Sequence, residues 1–366
     1  MDSIASDYWK HGFPAHAVSR LLQCSGPLEQ TEVAVEGANY FWRYQPASKL
    51  AVLAATRGVK TLHVGATWTS PPSKRLDGLA RPLRRALVFD IDLQDYAFDV
   101  PKENLAGNDA IFPCALVGCE ILKRILTDAF GFERFLTFYS GRRGVHLYAL
   151  DERAMALTDE GRSAVASFVR LACAKSSKRL NASAFEHPTF DQLYDDVVLP
   201  LFAGVGLRPR RDGGLGVLET DADVAAFVRL LDINALEVEA ELLGRAPEAR
   251  WQHLGHRIET LASSSPKMSW VAKRLQEAVL SYTWPRIDAV VTTQLNHLLK
   301  SPFAAHSSTG RIAVPIFDSS FRPDDVPTIH DWSGVKELAD QMCRILDNWY
   351  PTTMEADIED LVAAPD

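Results

Sequence analysis

The sequence predicts a mixed α/β (α+β) protein whose mixed central sheets are interrupted by a helical insertion. Three observations carry that prediction. Short apolar runs bounded by polar, Gly or Pro residues dominate the first half. From about residue 157 the apolar residues recur at helical spacing instead. Strand-like segments then return near residues 287–291 and 312–316. This order fits a sheet domain of residues 1–156 plus 284–366, interrupted by a helical subdomain of residues 157–283.

Taken in order, residues 50–54, 61–67, 86–92, 135–139 and 145–149 read as strands, because each is short, apolar and flanked by turn formers. TSPPSKRLDGLARP, residues 69–82, reads as a loop by its Pro, Ser and Gly content. Between the third and fourth runs, Leu122, Ile125, Leu126 and Ala129 share a helical face, and Gly131 is the stop signal. Val165, Phe168, Val169 and Ala172 mark a second helix, and Val224, Phe227, Val228 and Leu231 a third. RPRRDGG, residues 208–214, breaks the helical stretch, and residues 335–346 read as a last helix.

The chain has 366 residues, 47% of them hydrophobic, enough for a substantial core. Its formal net charge is -8, so bulk electrostatics do not mark a nucleic-acid binder, and any phosphate contact must come from local basic patches. The five cysteines are scattered with no C-x-x-C pair, which reads as reduced, mostly buried thiols. There is no N-terminal apolar signal, and no apolar run near the ~20 residues that span a bilayer. A soluble intracellular protein with no membrane partner is expected.

Three regions carry chemistry. The first is ALVFDIDL, an apolar strand ending in Asp90 and Asp92. Strand period two puts both carboxylates on one side. Like charges so close repel unless cations lie between them, and hard divalent ions prefer carboxylate oxygens. The plain reading is a strand end with two hydrated carboxylates. D-x-D also opens phosphatases of the haloacid dehalogenase type and occurs in glycosyltransferases, but the phosphatase pattern wants Thr or Val where this chain has Gln94.

The second region, FYSGRRGVHL, joins two strand segments and brings Ser140, Arg142, Arg143 and His146 together around two glycines. Glycines open an amide-lined concavity, and arginine matches phosphate oxygens in a fork. A solvated turn with solubilising arginines is the alternative. The third region runs from WPRID, with Asp288, to NHLLKSPFAAHSSTGRI, with Lys300 and His306. A third carboxylate would complete a two-metal site. Taken singly, these are ordinary surface residues.

Together and in this order, the strings LVFDIDLQDY, FYSGRRGVHLY and RID…NHLLKSPFAAHSSTGRIAVPI resemble the small catalytic subunit of the archaeo-eukaryotic DNA primase family, the eukaryotic branch most closely. DYWK..FP near the N-terminus and FWRYQ resemble it as well. The resemblance implies a primase catalytic domain and template-directed synthesis of short RNA primers on single-stranded DNA by two-metal nucleotidyl transfer. It implies that Asp90, Asp92 and Asp288 bind two Mg²⁺ or Mn²⁺ ions. Ser140, Arg142, Arg143 and His146 would contact the incoming ribonucleoside triphosphate, with Lys300, His306 and Arg43 adding nucleotide contacts. Glu32 would match an acidic residue near the ribose. Partners implied are a primase large subunit and the DNA polymerase alpha complex, in the nucleus if the source is eukaryotic.

One departure stands out. Family members carry zinc-binding cysteines after D-x-D, where this chain has only Cys114 and Cys119 and no histidine, so no structural zinc is expected. Lys74, Arg75, Arg81, Arg84 and Arg85 form a cationic cluster that reads either as a template track or as a solvated loop. The competing functions are a related primase-polymerase using deoxynucleotides in repair, and a catalytically silent nucleic-acid-binding subunit. The three aspartates speak against silence.

Overall fold

The computed structural model describes residues 7–78, 80–96, 111–170, 192–233 and 235–351. Its strands are β1 (Thr31–Gly37), β2 (Phe41–Pro46), β3 (Val59–Trp68), β4 (Pro82–Arg84), β5 (Leu87–Asp92), β6 (Phe135–Tyr139), β7 (Gly144–Ala149), β8 (Leu299–Lys300) and β9 (Pro315–Ile316). The principal helices are α1 (Ala15–Gln23), α2 (Leu50–Ala54), α3 (Pro113–Phe130), α4 (Asp159–Arg170), α5 (Asp221–Leu231), α6 (Ala235–Leu242), α7 (Pro247–Ser264), α8 (Trp270–Thr283), α9 (Ala289–Thr293) and α10 (Val335–Trp349). The fold class is mixed α/β, as the sequence predicts. Among the described residues no helix is long and apolar enough to cross a membrane.

Two sheets are formed. One has the order β2-β1-β3-β4, with β8 added to β3, and the other has the order β5-β7-β6-β9. β1 is buried along almost its whole length, which suits TEVAV only because the charge of Glu32 is met from outside the strand. β2 steps from Gln45 to Trp42 while β1 steps from Val33 to Val35, so β2 carries a bulge. Tyr44 sits in it at φ 62°, a conformation that favours glycine. In the second sheet Phe135 to Tyr139 pair in register with Ala149 to Val145, leaving residues 140–144 as the hairpin tip.

The chain divides into two compact units. One comprises Met1–Asp90, Phe132–Ala166 and Asp288–Asp366, the other Ile91–Gly131 and Ser167–Ile287. The helical region expected at 157–283 thus divides at 166/167, and its unit also takes in residues 91–131. In the first unit α10 lies against α1, where Arg20 of α1 bonds Asp347 Oδ1 at 2.7 Å and the Leu346 carbonyl at 3.2 Å. The second unit has an aromatic centre, with Phe202 against Trp251 at 5.0 Å and Phe227 stacked on Tyr282 at 6.0 Å. There α5 starts on a capping box of Thr220 and Asp223, and Arg210 grips Asp223 with two nitrogens.

Three strand expectations are corrected. Residues 50–54 form α2, because a five-residue apolar run cannot distinguish a strand from a buried helical turn. Residues 287–291 give only a bridge at Ile287, after which the Asp288 side chain caps α9 by accepting from Val290 N. Residues 312–316 give a bridge at Ile312 and the two-residue β9. The helix with its Gly131 stop is α3, and Gly131 takes φ 66° as its C-cap.

Candidate active site

β5 is an apolar strand because Leu87, Val88, Phe89 and Ile91 are all buried. Asp90 and Asp92 alternate with them and are half-buried. Asp92 Oδ1 accepts from Gln94 N at 2.9 Å, which turns the chain out of the strand. The amide of Asp288 donates to the carbonyl of Asp90 at 3.0 Å. This fixes the start of α9 at the end of β5, and Asp288 itself is exposed. His146 on β7 stands with Nε2 3.6 Å from Asp90 Oδ1. Burial pushes the His146 pKa down to about 3, and the charges of Lys300 and Arg85 push the same way. The ring is therefore neutral at pH 7, and its approach to Asp90 is a polar contact rather than an ion pair.

The β6–β7 hairpin closes tightly. Ser140 N donates to Gly144 O at 2.9 Å, and Gly144 N donates to Ser140 Oγ at 3.1 Å. Gly141 has φ 91°, and a Cβ there would stand 2.9 Å from His306 Cβ and 3.1 Å from Arg311 O. Only glycine satisfies both conditions. Arg143 is buried and Arg142 half-buried, so the arginines are not the solvated turn of the alternative reading. Lys300 reaches this tip because β8 pairs with β3, His63 opposite Lys300, and its Nζ donates to the Ser140 carbonyl. Burial lowers the Lys300 pKa to about 8, with the Asp90 carboxylate opposing the shift. His306 is held beside the tip, its amide on Arg311 O at 2.8 Å and its Nδ1 accepting from Ser308 N at 3.3 Å.

Arg43 is placed by the bulge in β2. Its Nε donates to Glu32 Oε1 at 2.8 Å and its Nη2 to Asn296 O at 2.6 Å. Glu32 is completely buried and also accepts from Tyr44 N and from Trp68 Nε1, both at 3.2 Å. A carboxylate so enclosed orients Arg43 rather than facing a ribose. The structure thus joins Ser140, Lys300 and His306 at the hairpin that carries the two arginines, and joins Asp90 with His146 and Asp288, the Lys300 charge being felt by both Asp90 and His146.

The cationic cluster divides. Arg84 and Arg85 are 6% and 4% exposed and face the interior, which removes them from any template track. Lys74 and Arg81 are exposed, and Arg75 lies 3.5 Å over the Tyr44 ring. Arg85 Nη1 donates to Gln294 O at 3.1 Å, and Asp159 accepts from Leu295 N at 2.9 Å. These bonds fix the loop between Asp288 and Lys300. Sequence reasoning missed these supports, as it missed Tyr139, Thr309 and Arg311 around the hairpin. Only position signalled them, within or beside the strings that carry Ser140 and His306.

Among the described residues no three His, Cys, Asp or Glu side chains converge as a metal cage. Mg²⁺ does not need one, since it usually keeps several waters and takes one or two carboxylates plus substrate phosphates. Asp90 and Asp288, joined through their backbones at the end of β5, offer the oxygen donors that such chemistry and that of Mn²⁺ take. Cys114 and Cys119 lie buried on α3 and share no disulfide, and burial pushes Cys114 up to about 12. Residues 97–110, on which the zinc expectation also bears, lie outside the described residues, as does Cys173.

Comparison with known proteins places this arrangement. The model of the family "DNA primase small subunit" matches residues 89–317, from inside β5 to just past β9. The DNA primase small subunit of Schizosaccharomyces pombe is 33% identical over 270 residues, which cover 68% of this chain and 57% of that protein. That of Saccharomyces cerevisiae is 30% identical over 281 residues, 73% of this chain and 67% of that protein. The archaeal DNA primase small subunit PriS of Halorubrum lacusprofundi is 28% identical over 237 residues, 61% of this chain and 58% of that protein. The match therefore takes in roughly three fifths of the length of these relatives. A family match that runs through both the aspartate strand and the basic hairpin decides the matter, and the chain belongs to the DNA primase small subunit family.

Proposed function

We propose that this protein is a primase catalytic subunit, a DNA-directed RNA polymerase that joins ribonucleotides on a single-stranded DNA template. The observation that carries the reading is the placement of a basic, glycine-bearing hairpin and a carboxylate-ended strand in one sheet, with His146 touching Asp90 and Lys300 clasping Ser140. Asp90, Asp92 and Asp288 would hold two Mg²⁺ or Mn²⁺ ions. Ions so bound supply positive charge at the attacking 3′-hydroxyl and at the leaving phosphates.

The chain's own groups do the rest. Arg142, Arg143 and Lys300 bind the triphosphate and stabilise charge as pyrophosphate leaves. Ser140 shapes the turn through its bond to Gly144. Neutral His146 packs beside Asp90 and offers a ring nitrogen without adding charge. Arg43 and His306 border the site and contact the nucleotide. Base choice comes from pairing with the template. A primase large subunit and the DNA polymerase alpha complex are the partners proposed, with a replication-associated place inside the cell.

The test is synthesis on single-stranded DNA with labelled ribonucleotides or, in parallel, labelled deoxynucleotides, and Mg²⁺ or Mn²⁺, comparing wild type with Asp92→Ala. Short RNA from wild type and none from the variant is the expected result. Products built only from deoxynucleotides would assign the chain to repair synthesis instead. No product with a supplied primer, Mn²⁺ and added large subunit would make it a silent subunit.

A further inference from the structure

Three successive carbonyls at the hairpin tip are each capped by a donor. The Ser140 carbonyl accepts from Lys300 Nζ, the Gly141 carbonyl from Thr309 Oγ1 at 2.7 Å, and the Arg142 carbonyl from Tyr139 Oη at 2.9 Å. The last two donors are themselves anchored. Thr309 Oγ1 accepts from Arg311 N at 3.2 Å, and Tyr139 Oη accepts from Arg311 Nη1 at 3.3 Å. The guanidinium of Arg311 is in turn paired with Asp324. One arginine thus supports two hydroxyls through two different atoms.

Peptide units are planar and trans, and the described chain has no cis bond, so each N–H points opposite the carbonyl of its own unit. Capping the carbonyls of Ser140, Gly141 and Arg142 therefore fixes the directions of the amides of Gly141, Arg142 and Arg143. Successive amides of a glycine-bearing turn are what an anion nest is made of. Left uncapped, the same turn could rotate its carbonyls toward bound phosphate and repel it.

We infer that Thr309 and Tyr139, steadied by Arg311, are positioning residues that hold the hairpin amides toward the phosphates of the incoming nucleotide. They touch protein carbonyls rather than substrate. The inference rests on the reading of the hairpin as the triphosphate site.

The experiment measures calorimetric binding of inorganic tripolyphosphate with Mg²⁺ to the full chain, beside KM and kcat for a ribonucleoside triphosphate. The variants are Thr309→Val, Thr309→Ser and Tyr139→Phe. Loss of one such hydrogen bond should weaken tripolyphosphate binding and raise KM about three- to tenfold, with kcat nearly unchanged. Thr309→Ser keeps the hydroxyl and should restore both values. If Thr309→Val proves unstable to heating, Tyr139→Phe reads the same support from the other side. Wild-type affinity in both Thr309→Val and Tyr139→Phe overturns the inference while leaving the triphosphate site intact. A Thr309→Ser variant as weak as Thr309→Val overturns it too, since the hydroxyl would then not be the cause. A wild-type chain that neither binds tripolyphosphate nor makes RNA overturns the site reading and this inference together.

Discussion

Asp288 donates its backbone amide to the carbonyl of Asp90 at 3.0 Å, while its own carboxylate caps α9 through Val290 N at 3.0 Å. The side chain thus has a structural task and a proposed chemical one, and two variants separate them. Asn caps helices as well as Asp, so Asp288→Asn should keep stability within about 0.5 kcal/mol. Without the charge, primer synthesis should fall by about two orders of magnitude or more. Asp288→Ala should lose the same activity and about 1 kcal/mol of stability besides. Equal melting temperatures for the two variants would remove the capping role.

Lys300 gives a pH dependence. Burial holds its ammonium at about 8 in the folded chain, against 10.5 for the unperturbed group. Triphosphate binding needs the charged form, so kcat/KM for the nucleotide should fall as pH rises through about 8, the value given by that burial. Lys300→Arg stays charged and should shift the fall to higher pH. Stability runs the other way. Between about pH 8 and 10.5 the unfolded chain holds the proton that the folded chain has released, so this group adds stability as pH rises through that window. A kcat/KM profile with no break near pH 8 in wild type would contradict the assignment.

Arg162 is 0% exposed and donates to four carbonyls: Leu157 at 3.0 Å, Ala86 at 3.3 Å, Arg85 at 2.5 Å and Met155 at 3.2 Å. Two of these acceptors lie immediately before β5. Arg162→Leu strands buried carbonyls and should cost about 3 kcal/mol or more in urea unfolding. Arg162→Lys keeps a charge but cannot span four acceptors, and should fall between the two. Activity at low temperature should survive in both, because these hydrogen bonds of Arg162 go to backbone carbonyls of residues 85, 86, 155 and 157 rather than to the proposed site residues.

Thr220→Ala tests the second unit alone. Thr220 Oγ1 accepts from Asp223 N at 3.2 Å, and Asp223 returns a bond to Thr220 N at 2.8 Å. Loss of the cap should cost about 1 kcal/mol. KM for the nucleotide should stay at the wild-type value. A changed KM would tie the capping turn to nucleotide binding.

Legibility in the sequence followed how local the cause was. β6, β7 and the Gly131 stop were legible because each depends on neighbours in sequence. β1 and β2 were not, since TEVAVEG and FWRYQP carry charges that a strand pattern counts against them. Glu32 becomes acceptable inside β1 only when Arg43, Tyr44 and Trp68 surround its carboxylate. Of the candidate site, the residue types and their strings were legible, but their supports were not. Arg84 and Arg85 look like their neighbour Arg81 in sequence, and only the packing turns them inward. Thr309 stands in a run of small polar residues where nothing marks its hydroxyl as the one that reaches Gly141.

Three of the groups that clasp the β6–β7 tip, Lys300, Thr309 and Arg311, lie 160 to 172 residues beyond the groups they hold. During synthesis the hairpin therefore emerges well before the segment that gives it its shape. A chain stopped short of Lys300 would leave the carbonyls of Ser140 and Gly141 uncapped, and the Tyr139 hydroxyl that caps Arg142 without its arginine support. On the proposed reading of the hairpin, nucleotide capture would begin only once residues 300–311 have emerged and folded back onto the tip.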